Sequence, residues 1–246
     1  MAAPAIPERS PVPAWIGLLC ALIVIIPYYG MAILSGIAIQ REGLTELPGL
    51  TDTLLQALLI TAVFCGLTWA LLRFICREEI GSLNPGRTSF GVDLLHAVNM
   101  SALLLLAQIA VGIATGVQAT QEGGFNTLLA DNLHSSPLAL FVWAGPVAWL
   151  QAGLTEEFTR AFILTRLWKM WPARHAQFIS LVAMSALFGM GHYYQGVNGV
   201  IGTALIGLVF GFHYMRFGSL RAIILGHGLY DTIVMLLLWW GSKLAM

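Results

Sequence analysis

Residues 154–162 read LTEEFTRAF, and they interrupt a strongly apolar region, between FVWAGPVAWLQAG and FILTRLW. Glu156 and Glu157 are adjacent, and Arg160 follows in a chain of 246 residues that is 58% hydrophobic and only 10% charged. The formal net charge is zero and the mean hydropathy is +0.79, which places the chain with integral membrane proteins rather than soluble domains. A charged side chain at the centre of a membrane helix costs about 2.5–3.5 kcal/mol on insertion scales, so three together require a compensating role.

Working outward, the runs long enough to cross a hydrocarbon layer of about 30 Å are 14–39, 53–75, 92–118, 138–171, 176–195, 199–215 and 220–241. These runs predict an all-α, polytopic transmembrane bundle of about seven to eight helices around a polar intramembrane cavity. The first run is too long for a signal-peptide core and lacks a small-residue cleavage site after it. It is expected to remain as a membrane helix kinked near Pro27, so that the mature protein and the sequence coincide. No internal repeat or linker divides the chain, so residues 1–246 read as one integral-membrane domain.

Ten of the twelve Lys and Arg residues fall on one side of a seven-span arrangement, leaving only Arg41 and Lys243 on the other. That bias predicts a cytoplasmic N-terminus in a bacterial inner or plasma membrane. The 119–137 segment contains no Lys or Arg and is expected outside. Balanced charge without a basic run argues against nucleic acid as a partner. Cys20, Cys65 and Cys76 form no CxxC and read as packing residues, with Cys76 a weak candidate for acylation between Arg73 and Arg77. Most of the tryptophans, among them Trp143, Trp149, Trp168, Trp171, Trp239 and Trp240, read as an interfacial belt.

On a helix, Glu156 and Arg160 stand i,i+4 and Glu157 and Arg160 i,i+3, so one arginine can clamp only part of the negative charge. A structural ion pair, with Arg160 and Arg166 snorkelling to the interface, is the simplest reading. Other ionisable groups weigh against it. His192 closes the fifth run, and His227 and Asp231 stand i,i+4 in the last, on one helix face. That spacing suits a carboxylate-oriented imidazole or two ligands of one centre. Ionisable groups in separate membrane helices normally face one another or a wet cavity. Glu156 and His192 each lie 18 residues from Arg174 in the WPARH turn. In an antiparallel hairpin both would stand about 27 Å from its tip, at one level. His227 lies only about 10 Å from the start of its own helix, so the depths agree if the hairpin projects from the membrane. The remaining histidines, His96, His134, His175 and His213, read as surface or capping residues, and Gly189, Gly191, Gly226 and Gly228 as packing positions.

Three motifs carry a resemblance. EEFTR at 156–160, FGMGH at 188–192 and HGLYD at 227–231 resemble, in order, the EExxxR, FxxxH and HxxxN motifs of the CPBP family of intramembrane proteases, with Arg160 one residue nearer the glutamates than in the first of these patterns. That family includes CAAX-prenyl endopeptidases and bacteriocin-processing, or Abi, proteins, and the similarity covers about residues 140–240. It implies an intramembrane endopeptidase whose partners are the bilayer and a membrane-associated or lipid-linked protein or peptide substrate. By the same resemblance Glu156 is the general base that activates water and His192 holds or polarises that water. His227 and residue 231 stabilise the oxyanion, and Arg160 orients the glutamate pair. Phe188 is expected simply to pack the wall.

Asp231 departs from the pattern, because a carboxylate donates a hydrogen bond only when protonated. It is neutral in an apolar site, or it orients His227, or it helps to hold a metal. The favoured reading has no cofactor. The alternative is a zinc site built from Glu156, His192, His227 and Asp231, with a metal-bound water as nucleophile. Outside the protease reading, a catalytically inactive scaffold or regulator of the same family and a proton-coupled carrier remain open, although the lack of inverted repeats counts against the carrier. The sequence specifies neither the substrate among CAAX termini, bacteriocin leaders and sorting tails, nor an oligomeric state.

Overall fold

In the computed structural model, which describes residues 11–86, 88–115 and 124–245, the described residues are helical with no strand. Helices α1 (Ala14–Glu42), α2 (Leu50–Ile75) and α3 (Phe90–Thr115) precede a short α4 (Phe125–Ser135). The long α5 (Pro137–Met170) is followed by α6 (Arg174–Gly191), α7 (Gly196–Phe217) and α8 (Leu220–Ala245). The protein is therefore a polytopic helical bundle. Lipid-facing positions are apolar, including Ile26, Leu34, Leu59, Leu106, Phe141 and Leu237, as expected where the solvent around the bundle is hydrocarbon.

Six helical stretches are long and apolar enough to cross a membrane: Ala14–Glu42, Leu50–Ile75, Phe90–Ala110, Pro137–Met170, Tyr193–Phe217 and Leu220–Gly241. The run expected at 176–195 folds as α6 but falls below the others. Arg174, His175, Gln177, Ser180 and Ser185 dilute its 18 residues. Pro27 lies inside α1, which remains helical on both sides of it.

Local chemistry sets the helix ends. Ser136 caps α5 by accepting a hydrogen bond from the Ala139 amide at 3.1 Å, and Pro137 occupies the first turn, where its missing N–H costs nothing. Gly218 terminates α7 in the left-handed region (φ 63°), and its amide closes on the Tyr214 carbonyl at 2.8 Å. Ser219 caps α8 through the Ala222 amide and also bonds Asp93 of α3, tying three helices together.

Within α5 the backbone is π-helical from Trp143 to Glu156, a stretch that contains Pro146. Wide turns of this kind recur at functional sites because they alter which side chains share a face. Gly153 in that stretch lets α8 approach closely: a Cβ there would meet the Ile224 carbonyl at 2.9 Å and the Gly228 amide at 3.2 Å.

Arg160 and Arg166 are the largest fully buried side chains, so neither snorkels. Arg166 forms a two-pronged ion pair with Glu78 in the α2–α3 connection, at 2.7 and 2.8 Å, and Lys169 joins it at 2.7 Å. Burial alone raises the Glu78 carboxyl, but hydrogen bonds and charge from Arg166 and Lys169 outweigh it and hold it at about 2, against an ordinary 4.5. A folded-state value below the unfolded one supplies stability above about pH 4.5, and that stability is lost as pH falls toward 2. Unfolding midpoints of wild type and Glu78→Gln in detergent should differ near neutral pH and converge between pH 4.5 and 2; a gap independent of pH contradicts this pairing.

Other expectations change in the packed molecule. Cys76 is wholly buried, which removes it as an acylation site. Trp168 is buried, stacked on Tyr214 at 5.8 Å, with its indole N–H bonded to the Gln177 carbonyl, so it belongs to the core and not to the belt. His213 is buried against His96, with ring centroids 4.8 Å apart, and is not a capping residue. His134 bonds the Ala130 and Trp239 carbonyls, while His175 is exposed as expected.

Candidate active site

The π-helical stretch of α5 ends at Glu156 and ordinary α-helix resumes at Glu157, so two adjacent carboxylates leave the same turn toward different neighbours. Glu157 has no exposure and is fully engaged. Arg160, one turn on, bonds both of its oxygens through a single Nη, and His227 Nδ1 of α8 bonds Oε1 at 2.7 Å. The arginine thus clamps Glu157 alone and does not orient the pair. Its guanidinium also sits over the Phe188 ring, 4.8 Å from the centroid, a favourable position for a buried cation.

Glu156 is in the opposite condition. It is buried, and its Oε2 has no hydrogen-bond partner among the described residues. An orphaned buried carboxylate oxygen is costly unless water or a ligand meets it. Its nearest polar neighbours are two imidazoles from two other helices. His192 Nε2 at the end of α6 stands 3.9 Å from Oε1, and His227 Nε2 stands 3.8 Å from Oε2. These separations are too long for direct hydrogen bonds and short enough for one water to bridge. The hairpin geometry therefore brings Glu156 and His192 to one level, as the equal 18-residue spacing requires.

The second nitrogen of each imidazole fixes its tautomer. His192 Nδ1 lies 2.9 Å from the Phe188 carbonyl, which can only accept, so Nδ1 carries hydrogen. His227 Nδ1–H donates to the Glu157 carboxylate. Nε2 of a neutral His192 then presents a lone pair toward Glu156, while His227 Nε2 faces Glu156 as an acceptor when that ring is neutral and as a donor when it is protonated. Asp231 Oδ1 stands 3.9 Å from His227 Nε2 and is partly exposed, so the carboxylate that orients His227 is Glu157 and not Asp231. Phe188 does more than line a wall, since it contacts both rings, at 4.8 Å for His192 and 6.1 Å for His227, beneath Arg160.

Among the described residues no three His, Cys, Asp or Glu side chains are grouped so as to hold a metal ion. Glu156, His192, His227 and Asp231 would be the donors; the bond from His227 Nδ1 to Glu157 leaves Nε2 free for such a role, and Asp231 Oδ1 stands 3.9 Å from that nitrogen. An apolar cavity of about 420 Å³ lies elsewhere, lined by Met100, Leu181, Val209, Phe212 and His213 with no carboxylate on its walls.

Motif reading alone misses three phenols. Tyr194 of the Tyr193–Gln195 turn has its ring 5.8 Å from that of His192, and Tyr28 and Tyr29 of α1 pack edge-on against each other at 5.2 Å. Tyr29 packs 3.7 Å from the position of a Cβ on Gly191, next to His192, and its hydroxyl is buried without a partner among the described residues. The signal in the sequence was the pair of phenols in IIPYYG, polar tips inside an otherwise apolar helix.

Residues 138–233 match the family model described as type II CAAX prenyl endopeptidase, Rce1-like. The matched segment spans all three motifs and is of the family they resemble. No curated protein and no solved structure gives a match.

Proposed function

Taking a segment of the Rce1-like, type II CAAX prenyl endopeptidase family as the premise, we propose that the protein hydrolyses a peptide bond near the end of a membrane-associated or lipid-linked protein or peptide. Glu156 acts as the general base. The observation that carries the reading is the contrast between the two acids: Glu157 is neutralised by Arg160 and His227, while Glu156 is buried, uncommitted and flanked by two imidazoles at 3.8 and 3.9 Å.

A water between these groups loses a proton to Glu156 as its oxygen bonds to the scissile carbonyl carbon, and the carbonyl π pair moves onto oxygen. The amide C–N bond then breaks, the proton held by Glu156 passes to the leaving amine, and the products are a carboxylic acid and an amine. His192 Nε2 accepts from the water and fixes its lone pair toward the carbonyl. His227, held by Glu157, completes the wall of the site and donates from Nε2 when protonated. Arg160 is a positioning residue for Glu157, and through it for His227. Asp231, with an oxygen near His227 Nε2 and partial exposure, lies where substrate backbone amides can be met.

This reading needs no metal. Hydrolysis of a farnesylated peptide ending in a CAAX sequence should therefore continue after dialysis against a strong zinc chelator, and the purified protein should contain far less than one equivalent of zinc. Loss of activity on chelation, restored by zinc alone, would overturn it in favour of a site ligated by Glu156, His192, His227 and Asp231. With the buried Arg160 and Arg166 set aside, Lys and Arg still divide eight to two between the sides of a seven-span arrangement, which supports an N-terminus in the cytoplasm.

A further inference from the structure

The direction of the Glu156 side chain is set by its backbone. Among the described residues its Oε2 has no hydrogen-bond partner, and both imidazoles stand beyond direct bonding distance, at 3.8 and 3.9 Å. Glu157, by contrast, is fixed through its side chain by Arg160 and His227. What aims the base is therefore whatever holds the main chain on either side of it. Glu156 closes the π-helical stretch of α5, in which hydrogen bonds span five residues. Relaxation of that last turn to ordinary α-helix would swing the carboxylate about the α5 axis, out of line with His192 and His227.

Three hydroxyls hold that chain. Leu150 and Thr155 stand five apart, the span of one π turn, and Thr155 Oγ1 donates back across it to the Leu150 carbonyl at 2.7 Å. Thr61 of α2 meets both ends of the same turn. Its hydroxyl donates to the Leu150 carbonyl at 3.1 Å, and its oxygen lies 2.9 Å from Thr155 Oγ1. Cys65, one turn further along α2, directs its thiol at Thr155 Oγ1 from 3.7 Å. On the other side of Thr155, the Thr159 hydroxyl donates to the Thr155 carbonyl at 2.7 Å and reaches the Glu156 carbonyl at 3.1 Å. Thr155 and Thr159 are wholly buried, and hydroxyls in such positions are how irregular backbone at membrane depth is satisfied. Thr61 lies outside residues 138–233, the segment that matches the family model, and reaches α5 across a sequence separation of 89.

We propose that Thr61 is a positioning residue for the general base: its hydroxyl staples both ends of the Leu150–Thr155 turn and so fixes the direction in which Glu156 leaves α5. Thr61 touches neither the substrate nor the attacking water. It acts through Thr155, the residue joined to Glu156. The proposal rests on the hydrolase reading of the previous section.

Thr61→Val is the decisive variant, because it keeps the branched shape between α2 and α5 and removes the hydroxyl. Wild type, Thr61→Val, Thr61→Ser, Thr155→Val, the double variant Thr61→Val/Thr155→Val and Glu156→Gln are assayed with a farnesylated CAAX peptide in detergent, alongside unfolding midpoints. The expected result for Thr61→Val is a fall in kcat of about 10²-fold, as for a reacting group displaced by about 1 Å. KM should stay within a few-fold. Thr61→Ser, which returns the hydroxyl without the methyl, should bring kcat back to within a few-fold of wild type. The double variant should be no slower than the slower single variant, because both substitutions release the same turn. Thr61→Val with wild-type kcat, while Glu156→Gln is dead, overturns the role of Thr61 and leaves the hydrolase reading standing. Thr61→Ser as slow as Thr61→Val assigns the loss to helix packing and overturns the role as well. So does a double variant whose loss is the product of the two single losses, since the two residues then act independently. Glu156→Gln with wild-type kcat overturns the hydrolase reading and this role with it.

Discussion

Glu156→Gln should lower kcat for peptide hydrolysis by about 10⁴-fold, the upper end of what a positioned general base contributes. The substitution keeps the shape of the side chain and removes its capacity to accept a proton from water. Folding should hardly change, because among the described residues Glu156 Oε2 has no hydrogen-bond partner to lose and the 3.8 and 3.9 Å separations from His227 and His192 are too long for direct bonds. A glutamine there even relieves the burial of a carboxylate. Loss of activity at constant unfolding midpoint is the signature expected. An inactive scaffold of the same family would instead retain its biological function after this change. Glu157→Gln should behave differently, costing stability as well as rate, because Glu157 is the bonded partner of both Arg160 and His227.

Arg160→Met carries the largest expected effect on stability. Arg160 and Glu157 are an ion pair with 1% and 0% side-chain exposure. Removing one member strands the other as a buried charge, which typically costs about 3–5 kcal/mol. Chemical denaturation in detergent measures it. The double variant Glu157→Leu/Arg160→Met should recover much of that loss, since an apolar pair of similar volume often replaces a buried ion pair without penalty. Activity should not recover, because His227 loses the acceptor that fixes its Nδ1–H and hence the direction of Nε2. A double variant as active as wild type would show that the pair is structural only. Destabilisation by Arg160→Met within the ordinary range of a surface substitution would show that the pair is not buried in the membrane-embedded protein.

Much of this site is legible in the sequence because membrane insertion makes each buried charge expensive. Glu156, Glu157, Arg160, His192, His227 and Asp231 stand out against their apolar surroundings. The WPARH turn halves the distance between Glu156 and His192 and fixes their common level by rise per residue alone. The division of labour between the two acids is not legible in the same way. Helical spacing allows Arg160 to meet either Glu156 or Glu157. The choice depends on the π-helical turns of Trp143–Glu156 and on His227, which arrives from α8 at a sequence separation of 70. The Glu78–Arg166–Lys169 network, closed over 88 and 91 residues, is hidden for the same reason, so Arg166 looks like a snorkelling residue when it is a buried one. The role of Asp231 also turns on three-dimensional placement. Its i,i+4 spacing from His227 suggests an orienting bond, whereas the 3.9 Å separation and the prior claim of Glu157 on the imidazole show another carboxylate in that role. The count of spans differs because a run can be apolar at its centre and still begin with Arg174, His175 and Gln177.

The central claim is that water, activated by Glu156, attacks the peptide carbonyl directly. A single turnover in ¹⁸O-labelled water tests it without reliance on any variant, with the label followed by mass spectrometry of both the product and the protein. Label in the newly formed product carboxylate, with none in the peptide containing Glu156, is the result this account predicts. Label in the Glu156 carboxylate would mean that the glutamate itself attacked and formed an anhydride opened by water at the side chain, and would contradict the account.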